Sequence, residues 1–138
     1  MARCPLVIPT DWTPVHRADG EQVGRLAPDS GPGLVQPLLL TGAPLADARG
    51  RDHAVALLRA RGLAALDRRW WARLPDTPLA GVQPVDRPEP AWDWHPVLLV
   101  EVSPAGATVR PEFAGPGDTG RASLRVPVGD LLRAEPPA

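Results

Sequence analysis

The segment Leu63–Leu74, LAALDRRWWARL, decides how the middle of the chain is read. Leu63, Leu66, Trp70 and Leu74 recur at spacings of 3, 4 and 4, the period of a helix with one apolar stripe. Pro75 ends that element, because it has no amide hydrogen to continue a helix. Upstream, Ala54, Val55, Leu57 and Leu58 form a second stripe that stops short of Gly62. At about 100° per residue the two stripes point more than about 90° apart. The pattern therefore predicts a helix, a break at Gly62 and a second helix, over residues 52–61 and 63–74. Asp52 suits the N-cap of the first helix, and Gly62 suits its C-terminal end.

Working outward, the N-terminal side reads as strands. Asp19 and Gly20 are a strong hairpin signal. A three-residue loop Ala18–Gly20 would pair Arg17 with Glu21 and Val15 with Val23. Residues 34–40 follow as a third strand, and Pro37 predicts an edge position or a bend there. On the C-terminal side, residues 75–92 hold five prolines and read as an extended, acidic connector, either wrapped or mobile. Residues 97–103 and 108–113 form a second hairpin. A four-residue loop would pair Ser103 with Thr108, putting Leu98, Val100, Val102, Val109, Pro111 and Phe113 on one face and Glu101 opposite Arg110. Leu99 is the exception to that alternation. Leu124, Val126 and Val128 alternate as a further strand, residues 130–133 suit a turn of helix, and residues 134–138 a frayed tail.

The fold class is α+β: an antiparallel sheet of about five to six short strands, built from two hairpins and covered by the helix–break–helix segment. The 138 residues predict one domain spanning 1–138. No apolar run approaches the length of a membrane span, and the opening residues are too short of apolar length for a signal peptide. No membrane association and a cytoplasmic location are therefore expected. The single cysteine, Cys4, can form no intrachain disulfide.

All 15 basic residues are arginine, against 16 acids, for a net charge of −1. Asn and Tyr are absent too, and Ile and Phe occur once each. These residues share AT-rich codons, so the pattern points to the base composition of a high-GC bacterium. The absence of Lys excludes Schiff-base chemistry and a lysine-anchored cofactor. Charge is uneven along the chain. Residues 47–74 hold seven arginines against three acids, while residues 75–95 hold one arginine against four acids. The two segments are expected to pair with one another.

Catalytic signals are weak. None of the three serines lies in a Gly-x-Ser-x-Gly elbow, and Gly115–Gly120 lacks the context of a phosphate loop. His16, His53 and His95 are widely spaced, with carboxylates beside His53 and His95 but no two-ligand helical spacing. No metal and no cofactor are expected. Trp and Arg favour interfaces. The reading is thus a small non-catalytic protein-interaction or regulatory module that contacts an unknown protein partner through Trp71, Trp92 and Trp94, with Arg68 and Arg69 at the rim. Trp70 is assigned to the core. The alternative is nucleic-acid binding by the second helix, through Arg68, Arg69, Arg73 and Trp71. A further alternative is a small-molecule site or enzyme using a His/carboxylate pocket.

Overall fold

The computed structural model describes residues 8–75 and 77–136. Cys4, Asp76 and the last two residues of the tail lie outside that range, as do the expectations attached to them. The chain is mixed α+β and mostly strand. Its elements are β1 (Thr13–His16), β2 (Gln22–Pro28), β3 (Leu34–Leu38), β4 (Arg49–Gly50), α1 (Arg51–Arg61), β5 (Arg69–Leu74), β6 (Val82–Pro84), β7 (Asp93–Ser103), β8 (Gly106–Pro111), β9 (Arg121–Arg125) and β10 (Leu132–Arg133). No helix is long and apolar enough to cross a membrane.

Two sheets form rather than one. The first has four strands in the order β1-β2-β3-β4, and the second has six in the order β10-β5-β7-β8-β9-β6. All pairs are antiparallel except β6 with β9. α1 packs on the first sheet, where Ala54 and Leu58 join Val15, Val23 and Leu26 in a small core. The second sheet buries its inner face in a larger core that includes Trp70, Ala72, Leu74, Val97, Val109, Ala122 and Leu124. Leu45 and Leu63 pack against both cores and join them. Arg25, buried on β2, also ties the sheets together. Its guanidinium donates to the Leu40 carbonyl at 3.2 Å and to the Pro104 carbonyl at 2.9 Å. Burial pushes its pKa down without a carboxylate to offset the shift.

The helix expected over 63–74 is corrected. The first helix and the break at Gly62 are present, but only Ala64–Leu66 remains helical beyond the break, as a single 3-10 turn. Residues 69–74 are a strand in which Trp70, Ala72 and Leu74 are buried while Arg69, Trp71 and Arg73 face outward. Trp70 and Leu74 fit both a helical and an alternating period. The fully buried Ala72 selects the strand. Asp52 is not the cap: Gly50 precedes the helix and no side chain caps it.

Both hairpins form with shifted registers. Arg17 and Glu21 face each other as expected, but a bulge pairs Val15 with Gly24 instead of Val23. In the second hairpin Ser103 pairs with Gly106, which leaves a two-residue turn. A bulge at Val100 leaves that residue without a partner, so Val97 and Leu99 point inward before it and Val102 after it. The expected inner face is therefore wrong at Leu98, Val100 and Phe113, and Arg110 lies opposite Leu98 rather than Glu101. β3 lies between β2 and β4, but the two-residue β4 pairs only with Leu34 and Val35, so Pro37 is paired with a strand on the β2 side alone. The connector is wrapped rather than loose, since Leu79 and Val85 are buried in the main core and β6 pairs with β9.

Candidate functional site

Residues directly opposite on paired strands share a face. Following the registers across the second sheet places Arg133 beside Trp71, Trp71 beside Pro96, Arg73 beside Trp94, Arg69 beside Leu98, and Leu98 beside Arg110. Thr108 lies opposite Ser123, which puts Arg121 and Arg125 on the same side. This is the outer face, turned away from the main core. α1 packs on the other sheet and leaves it uncovered. The outer face carries Arg69, Arg73, Arg110, Arg121, Arg125 and Arg133 against Glu101 and Glu112, a net charge of +4 on a chain whose total is −1.

The aromatic residues lie among these charges. Trp71 and Trp94 are half-buried. The Arg73 guanidinium stands 5.1 Å from the Trp94 ring centre and that of Arg133 stands 4.5 Å from it, both within cation–π range. The Nε of Arg73 is buried without a hydrogen-bond partner, consistent with a guanidinium held by stacking. Arg69 reaches across β7 to Glu112 with two parallel hydrogen bonds, the Nη2 contact being 3.0 Å. Those bonds hold the Glu112 carboxyl below the usual glutamate range and push the Arg69 pKa up. At the end of β5, Arg68 donates to the Ala134 carbonyl at 2.9 Å. A groove of about 420 Å³ opens there, lined by Arg68, Arg69, Trp71, Ala134, Glu135 and Pro136.

The structure thus brings Arg68, Arg69, Trp71, Arg73 and Trp94 to one sheet and its margin, although no helix presents them. Trp92 stands apart, half-buried against the main core and closing the connector onto it. Trp70 is buried, with its Nε1 donating to the Leu66 carbonyl at 3.0 Å. Sequence reasoning missed Arg110, Arg121, Arg125 and Arg133, which come from segments far from residues 63–74. The alternating RWWAR pattern in β5 is the signal that points to a strand face.

No family model, no curated protein and no solved structure matches this chain.

The histidines are placed apart. His16 on β1 and His53 in the first turn of α1 are both exposed. His95 lines a groove of about 390 Å³ with Pro111, Phe113 and Asp118. Both carboxylate oxygens of Asp118 already accept backbone N–H groups, from Leu79 and Gly115. Among the described residues, no three His, Cys, Asp or Glu side chains converge as metal ligands would. The expected pairing of the basic and acidic segments is likewise absent among the described ion pairs: Arg69 pairs with Glu112, and the remaining bridges join Arg17 to Asp19 and Glu21.

Proposed function

We propose that the protein is a non-catalytic interaction module that meets an anionic partner macromolecule through the outer face of its six-stranded sheet. One observation carries this reading: a net +4 and two half-buried tryptophans are gathered on one uncovered face of a chain with net charge −1. Guanidinium groups are planar, permanently charged and weakly hydrated, which suits them to carboxylate and phosphate oxygens at interfaces. Tryptophan supplies large contact area at low entropic cost. A folded monomer has little need of clustered like charges on a single face, since they repel one another. Trp71 and Trp94 are assigned to the contact surface with Arg68, Arg69, Arg73 and Arg133, while Trp92 serves the fold.

Retention on immobilised heparin, a generic polyanion, tests this reading. The wild-type protein is expected to be retained at low salt. Arg73→Glu with Arg133→Glu should elute with the unbound fraction, whereas Arg51→Glu with Arg61→Glu on α1 should elute with the wild type. Equal elution of the two double variants would overturn the assignment of the face.

A further inference from the structure

We infer that the anionic partner is a single-stranded nucleic acid, with Trp71 as the platform for one base; this rests on the outer face being the contact surface. The reason lies in how charge and aromatic surface are arranged. Protein hot spots use Trp and Arg too, clustered together at a desolvated centre. Here the two kinds alternate. Along β5 the outward residues are Arg69, Trp71 and Arg73, each about 7 Å from the next. Across the sheet, Trp71 has Arg133 beside it on β10, about 5 Å away in the pairing direction. Arginine and tryptophan positions that alternate on one face suit a strand of alternating bases and phosphates, because stacking and phosphate contacts occur in turn along it.

The groove beside Trp71 supports this ligand class. Its volume, about 420 Å³, admits a flat base between Trp71 and the arginine side chains. Its one acid, Glu135, lines it with Ala134 and Pro136. That carboxylate disfavours a phosphate in the groove and leaves it to an uncharged base. Outside the slot, Arg73 and Arg133 lie against the Trp94 ring, so they are positioned for phosphates before the ligand arrives. A duplex keeps its bases stacked internally, so it can use the arginines but not the slot.

Fluorescence anisotropy with a short labelled oligothymidylate, and with a duplex of the same length, tests the inference. With three phosphate contacts, single-strand affinity should fall about 20-fold between about 50 and about 200 mM salt, a log–log slope near −2. Arg73→Gln with Arg133→Gln should flatten the slope to about −0.7, while Arg51→Gln with Arg61→Gln on α1 leaves it unchanged. Trp71→Ala should weaken binding by about tenfold or more, and Trp71→Phe, which keeps a ring in the strand, should recover most of it. The duplex should bind about tenfold more weakly than the single strand. No binding at the lowest salt, duplex affinity equal to that of the single strand, or affinity unchanged in the Trp71 and Arg73/Arg133 variants would each overturn the inference. If oligonucleotides fail while heparin retention still depends on Arg73 and Arg133, the nucleic-acid assignment falls and the face remains the contact surface. If both fail, both readings fall.

Discussion

Gly62 shows how a single residue can be required for a reason its position does not advertise. A glycine at the end of a helix suggests a left-handed C-terminal residue. Here Gly62 is right-handed, at φ −57° and ψ −46°, and its N–H donates to the Leu58 carbonyl. Any residue tolerates those angles. A Cβ, however, would stand 2.6 Å from the Val23 carbonyl oxygen and 2.6 Å from that of Leu58. The glycine lets the end of α1 lie directly on β2. Helix propensity alone predicts that Gly62→Ala stabilises by about 1 kcal/mol. Close packing against β2 predicts a loss of about 1–3 kcal/mol instead, because the backbone must shift to admit the methyl group. Urea unfolding of Gly62→Ala decides between them, and a lowered midpoint is the expected result. The same scale holds Arg25, whose buried guanidinium is bonded to two carbonyls from separate segments, Leu40 and Pro104. Nothing in its local sequence marks it as an inter-sheet strut, because both partners are main-chain groups distant along the chain.

At the scale of elements, β5 is where sequence reading and structure part. Residues 63–74 satisfy a helical stripe at Leu63, Leu66, Trp70 and Leu74, and three of these four, Leu66, Trp70 and Leu74, are indeed buried. Only Ala72, fully buried between two outward residues, separates the two periods, and a small residue carries little weight in a hydrophobic pattern. By contrast, α1 and the two hairpins were legible from Gly62, the turn at Asp19 and Gly20, and the alternation around residues 97–113. The registers within those hairpins were less so. The expected anomaly at Leu99 sits beside the bulge at Val100, which inverts the faces. The ion pair between Arg69 and Glu112 ties β5 to the residue that follows β8, across β7. Glu112 has a depressed pKa, so its contribution is fully present above the ordinary glutamate value of 4.5 and is lost as pH falls through the lowered value. The wild type should therefore lose more stability on acidification below about pH 4.5 than Glu112→Gln does, as read from urea midpoints across that range. The difference should be small, because Arg69 is 50% exposed. Parallel acid titrations of the two proteins would contradict the assignment. Glu112→Gln also frees Arg69 and should lengthen retention on heparin.

At the scale of the molecule, the two sheets have different duties. The first is covered by α1 and has its own small core. The second buries one face and presents the other, and that presentation gathers arginines from β5, β8, β9 and β10. The residue types at the site were legible as a Trp/Arg bias in residues 68–73. Its extent was not, because Arg110, Arg121, Arg125 and Arg133 join it only through strand pairing. Overall charge hides the feature, since a net −1 spreads the opposing acids over the remaining surface. The five tryptophans give each region its own indole N–H reporter: Trp12 before the first hairpin, Trp70 in the core, Trp92 on the connector, and Trp71 and Trp94 on the outer face. The most direct measurement is therefore an NMR titration of the five indole N–H signals with a short oligothymidylate at low salt. The signals of Trp71 and Trp94 should shift together and saturate, while those of Trp12 and Trp70 stay in place. Shifts confined to Trp12 and Trp92, or no shift at any of the five, would contradict the claim that the outer face of the six-stranded sheet is the binding surface for single-stranded nucleic acid.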